Sequence, residues 1–211
     1  SSHAYRTFDT RIYSTIGLNT FNLGSSAQSP MQTEVLLKRY LLQLNPKTVV
    51  FEVSPIIMDL DGVEAATDLI SNDKFDVHAL QMVVDMGHIK PINTAIFAQY
   101  RQCRGDLKNV KEPVFVDDDQ YIKGGFVQKD SKDFTPSGKE TPIEIKFNAL
   151  QLQALKNCIT IIKKQGAEVI LVYTPVTKAL YSRYVNNHFF DKKMSNLGTY
   201  INLNGLINLI D

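Results

Sequence analysis

The chain contains no tryptophan and only two cysteines, Cys103 and Cys158. Two such widely separated thiols exclude a disulfide framework and a cysteine-based metal site. Cys158 falls within an apolar helical pattern and reads as a core residue. No apolar run approaches the ~18 residues needed to span a bilayer. Neither sign of charge is in excess, since 23 Lys and Arg face 22 Asp and Glu for a net charge of +1. Without a basic cluster, nucleic acid is not an expected partner. A small or neutral substrate suits this balance better. No signal peptide is visible, and the chain opens on Ser1-Ser2-His3 rather than Met, so the absence of a targeting segment does not assign a compartment.

What is present is a core-forming composition. The hydrophobic fraction is 44% over 211 residues, enough for one domain of ordinary size or one domain with a large insertion. Asn19 to Leu23 reads as a short strand ending at Gly24. Ser29 then caps a helix, with Pro30 at its first position and Gln32 completing a capping box. Val35, Leu36, Leu37, Tyr40, Leu41 and Leu44 give that helix an apolar face, and Glu34 pairs with Lys38 one turn on. Asn45-Pro46 stops it, and Thr48 to Val53 follows as a β-branched strand. Strand, helix and strand at this spacing predict a βαβ unit with parallel strands.

A second unit lies near the other end. Phe147 to Gln165 is a predicted helix closed by Gly166, followed by a strand over Ala167 to Tyr173 that is expected to be buried on both faces. Helical segments over Val176 to Val185 and Phe189 to Tyr200 and a strand near Leu206 to Ile210 complete the pattern. The fold class expected is α/β, a doubly wound parallel sheet of flavodoxin-like, three-layer type, in one domain over residues 1–211. Residues 56–146 are too many for a simple crossover and read as an insertion or cap. Helices are expected from Val63 to Arg104, broken near Asn72 and at Gly87 to Pro91, then a hairpin around Gly124-Gly125.

Ligands in open parallel sheets bind beyond the carboxyl ends of the strands. The privileged segments are therefore Gly24 to Gln28, Ser54-Pro55 and Thr174-Pro175, together with Ser1-Ser2-His3, which precedes a helical stretch over Tyr5 to Thr15. A serine at such a turn exposes its hydroxyl, and the amides of the following helix favour a developing oxyanion. By residue type alone, Ser2 is equally a helix cap and Gly24 equally a turn glycine.

The run Ser1-Ser2-His3-Ala4-Tyr5-Arg6-Thr7-Phe8-Asp9, followed by Phe21-Asn22-Leu23-Gly24-Ser25-Ser26-Ala27-Gln28, resembles the start of bacterial SGNH/GDSL-type hydrolases. The envelope-associated branch, with G-S-S-H in place of G-D-S-L, is the nearer likeness, and it covers roughly the first 55 residues. The resemblance implies Ser2 as nucleophile and the Gly24 backbone N–H as an oxyanion donor. It also implies a first strand before Ser1 and an Asp–His base pair beyond Asp211. The family's block-three Asn is missing from Glu52-Val53-Ser54-Pro55, which leaves Ser54 as a weak oxyanion donor. His3 is expected to line the site.

The implied activity is a serine-dependent esterase or O-acyltransferase acting on an acylated carbohydrate, small molecule or envelope polymer. No cofactor and no metal are implied. The implied location is the bacterial envelope, with membrane association only through a segment outside these residues. A non-catalytic envelope binding or assembly module is the alternative, and a flavodoxin-like cofactor binder is disfavoured by a first turn that is not Gly-rich. Asp85-Met86-Gly87-His88 matches the family's D-x-x-H literally but sits in the insertion and reads as a chance match. Asp117-Asp118-Asp119 reads as a solvated turn rather than a metal site.

Overall fold

The computed structural model describes residues 1–106, 114–129, 141–174, 180, 182–184 and 200–201. Its framework is a pair of parallel strands, β1 (Thr48–Glu52) and β5 (Glu168–Val172), in register from Thr48 opposite Glu168 to Glu52 opposite Val172. A two-residue strand, β6 (Tyr200–Ile201), adds antiparallel to the far side of β5. A separate antiparallel sheet consists of β2 (Phe115–Val116), β3 (Asp119–Ile122) and β4 (Phe126–Lys129). The molecule is thus mixed α/β.

Two expectations are corrected. Asn19 to Leu23 forms no strand and runs as irregular chain, because its backbone bonds go elsewhere: the Asn22 amide donates to the Gly124 carbonyl at 2.7 Å in the small sheet's hairpin. The strand over Ala167 to Tyr173 is also not fully buried on both faces: Leu171 is buried against a core, whereas Ile170 and Val172, on the opposite face by strand alternation, are only half-buried. The expected helix over Phe189 to Tyr200 reaches the described residues only at Tyr200, which lies in β6. The expected strand near Leu206 to Ile210 lies outside them.

Helices α3 (Pro30–Leu44) and α8 (Ala149–Lys164) cover the buried face of the sheet. Leu37 and Leu41 of α3 meet Leu155, Cys158, Ile159 and Ile162 of α8 over Phe51 and Leu171. The same two helices supply a second core through Met31, Val35 and Ala154. That core is completed by α5 (Val63–Asn72), α6 (Val77–Met86) and α7 (Ile89–Arg104), which give Ala66, Ile70, Met82, Val83, Ala95 and Ala98. A short α4 (Pro55–Asp59) links β1 to this layer.

Local chemistry accounts for the boundaries. Gln32 Oε1 accepts the Ser29 amide at 3.1 Å and also the Ser29 hydroxyl, starting α3, and Asn45 ends it in the left-handed conformation with φ 41°. Asp76 caps α6 through the amides of His78 and Ala79, and the His88 ring accepts from the Lys90 amide to cap α7. Asp85 and His88 therefore belong to a helix end and a helix start. The layer is locked by Arg39, whose side chain is 1% exposed and bonds Asp73 at 2.8 Å and Asp76 at 2.9 Å. Burial alone would raise the Asp76 carboxyl, but the Arg39 bonds and the Ala79 amide outweigh it and hold it at about 2. Burial, then the hydrogen bond to Asp73, pushes the Tyr40 phenol up to about 12.

Candidate functional site

The chain starts beneath the sheet. Ser1 is the N-cap of α1 (Ser2–Thr7), and α2 (Thr10–Thr15) follows after a break at Phe8 and Asp9, so the helical stretch is two short helices. The first turn of α1 is tied to the carboxyl ends of both parallel strands. Ser1 Oγ donates to Glu52 Oε2 at 2.6 Å, at the end of β1. His3 Nδ1 lies 3.1 Å from Thr174 Oγ1, two residues beyond β5, and 3.9 Å from Glu52 Oε1. Thr174 Oγ1 in turn donates to Glu52 Oε1 at 3.4 Å. A hydroxyl has one proton to give. With it directed at Glu52, Thr174 accepts from His3 Nδ1.

Glu52 is the hub of this network, and its side chain is 2% exposed. Strand alternation puts it on the same face as Val50, opposite Phe51 and the α3–α8 core. A carboxyl group here is tolerable only because hydroxyl groups reach it. The sequence drew attention to this turn for its lack of Asn, and missed the residue that organises it. The available signal was an acidic residue closing an otherwise apolar, β-branched strand.

Gly24 is brought to the same turn. A Cβ there would lie 2.9 Å from Asn22 Oδ1, 3.1 Å from the Ser1 carbonyl oxygen and 3.2 Å from the Tyr5 amide nitrogen, so a larger residue would displace the Asn22 side chain and press on the turn. The Gly24 amide is engaged, donating to Asn22 Oδ1 at 2.9 Å, while Asn22 Nδ2 donates to the Ala4 carbonyl at 2.9 Å. Ser2 is half-buried at the first position of α1, and its hydroxyl has no hydrogen-bond partner among the described residues. It caps nothing; the N-cap is Ser1, whose own hydroxyl is committed to Glu52. Ser54 is buried as the N-cap of α4, and its hydroxyl makes no cap bond.

The small sheet closes over this assembly from the side of α1. Arg6 bonds Asp119 in bidentate fashion at 2.9 and 2.6 Å, so Asp119 is an ion-pair partner and only Asp117 and Asp118 occupy the turn. A Cβ on Gly125, which has φ +92°, would fall 2.1 Å from the Asn22 carbonyl oxygen. A cavity of about 460 Å³ with a mixed polar and apolar lining opens beside the Gly24 loop, formed by Ser26, Ala27, Glu64, Ala65, Thr67, Asp68 and Ser71. Among the described residues, no cluster of acidic, His and Cys side chains has metal-site geometry, and no helix is long and apolar enough to cross a membrane. In comparisons with known proteins, no family model, no curated protein and no solved structure matches the chain.

Proposed function

We propose that the protein is a serine-dependent esterase or O-acyltransferase of SGNH type, with Ser2 as nucleophile. The observation that carries this reading is the anchoring of the Ser2 turn. Ser1 and His3, on either side of Ser2, are held by the buried Glu52 carboxyl at the end of β1 and by the Thr174 hydroxyl just beyond β5, with Gly24 packed against the same turn. A nucleophile must be positioned to a fraction of an ångström, and its neighbours here are fixed while its own hydroxyl is left uncommitted. Ser2 Oγ would attack an acyl carbonyl, and the Ser2 and Gly24 amides would receive the oxyanion. The activating base is the Asp–His pair that the resemblance implies, outside the described residues. The doubly wound, flavodoxin-like sheet is part of the same proposal and is supported by the parallel β1–β5 pair.

An acylated carbohydrate or envelope polymer as substrate is the part of this proposal carried by the resemblance of the Ser1–Asp9 and Phe21–Gln28 runs. The envelope location is part of the same proposal. Hydrolysis of a p-nitrophenyl acyl ester tests it: Ser2→Ala should lower kcat on the order of a thousandfold or more. An unchanged rate sinks the assignment.

One observation favours a second reading, a non-catalytic binding module. The Gly24 amide already donates to Asn22, and an oxyanion would have to displace that bond. Asn22→Ala separates the two. On the catalytic reading it frees the Gly24 amide and changes kcat; on the binding reading no esterase activity exists to be changed.

A further inference from the structure

Helices α6 and α7 are built inside out. A helix lying on a single core normally turns its large apolar side chains inward. Helix α7 instead buries Pro91, Ala95 and Ala98 and exposes Ile89, Ile92, Ile96 and Tyr100 on the opposite side, with Ile96 at 68%. Phe97, also exposed, stacks on Tyr100 with ring centroids 6.5 Å apart. Helix α6 does the same with Val77, Leu80 and Val84, of which Val77 is 69% exposed, while Ala79, Met82 and Val83 face the core.

The outward residues are spaced by three and then four along each helix: 77, 80 and 84, then 89, 92 and 96. That is the narrow seam of helix-on-helix packing, rich in β-branched residues, rather than a broad core face. At about 100 Å² for each side chain, the two stripes expose on the order of 800 Å², the contribution of one partner to a standard-sized interface. A typical monomer's largest apolar patch is smaller.

We propose that the α6–α7 hairpin is a homodimer interface, in which two copies pair their outward stripes as a four-helix layer. The charges flanking the stripes favour a protein partner over a lipid surface. The α6 stripe is bordered by Asp85, and Arg104, at the far end of α7, is paired with Asp106 and laid over the Tyr100 ring, so no unbroken basic fringe faces outward. The inference is independent of the chemistry at Ser2.

Sedimentation equilibrium of the 211-residue chain at micromolar concentration tests it. The expected mass is twice 23.8 kDa. Ile96→Glu, with the far-UV circular dichroism unchanged, should return a monomer at the same concentration, whereas Ile12→Glu, an exposed apolar site on α2, should leave the dimer intact. If Ile96→Glu alters the circular dichroism, Tyr100→Glu on the same stripe replaces it. A monomeric parent chain overturns the proposal, as does a dimer that survives both stripe variants. So does a monomer that floats with phosphatidylglycerol-containing vesicles and loses that binding with Ile96→Glu.

Discussion

The helical layer and the Ser2 turn are held together by different kinds of interaction. In the layer, α3, α5, α6, α7 and α8 interlock through apolar side chains around one buried cation, Arg39, which satisfies two carboxylates. At the Ser2 turn, few apolar contacts hold the chain in place. Segments around residues 1, 22, 52, 119, 124 and 174 are joined by single hydrogen bonds and one ion pair. Each polar contact yields a net contribution near 1 kcal/mol, whereas a buried aliphatic side chain contributes two or three times that. The layer should therefore carry the global stability and the turn should carry position. Position is what a reacting hydroxyl requires.

The comparison is broken most severely at Arg39. Arg39→Ala strands Asp73 and Asp76 and should cost about 4 kcal/mol in urea unfolding. Next comes Leu155→Ala, which empties a 1% exposed position in the core beneath the sheet and should cost about 3 kcal/mol by the same measurement. Changes at the turn should be smaller globally and larger locally. Glu52→Gln should cost about 1 to 2 kcal/mol, yet hydrogen exchange should quicken across residues 1–7 while α3 amides stay protected. Equal quickening in α3 would show that the two regions are one cooperative unit.

Gly125→Ala sharpens the contrast from the other side. It costs more than about 1 kcal/mol through its positive φ, and it pushes the hairpin off Asn22. The marker is the Gly24 amide, whose exchange should accelerate as Asn22 shifts.

The smallest effect is pH dependence, and it belongs to the layer. The folded Asp76 carboxyl lies below its unfolded value, so its contribution is complete above about pH 4 and is lost as pH falls toward 2. Tyr40 is the alkaline counterpart. Its folded pKa is raised to about 12, so its contribution is complete below about pH 10 and is lost as pH rises toward 12. Urea midpoints against pH should show both limbs. Asp76→Asn should flatten the first and Tyr40→Phe the second.

The same division explains what could be read from residues in order. The start and stop of α3, the helices with breaks near Asn72 and Gly87, the hairpin at Gly124-Gly125 and the buried Cys158 all follow from caps, turn residues and periodicity. Asn19 to Leu23 has the composition of a strand and is not one, because the Gly124 carbonyl takes the Asn22 amide. Strand propensity offers no defence against a better tertiary partner. Glu52 has only a faint local signature, an acidic residue closing an apolar, β-branched strand, since its significance depends on residues 51 and 122 positions away, Ser1 and Thr174.

By itself, then, while the pairing of β1 with β5 was left to the tertiary structure, the sequence determined the long helices, the capping box that starts α3, the presence of strands near Thr48 and Ala167 and the short list of turns at which chemistry is plausible. These depend on interactions within a turn or two of the chain, or on an apolar period that any fold must bury. Tertiary structure alone decided which turns meet, that Glu52 rather than an Asn organises them, that the Gly24 amide is engaged by Asn22, and that α7, with part of α6, leaves large apolar side chains facing outward. Those outcomes rest on hydrogen bonds and packing between distant segments, whose partners no local pattern encodes.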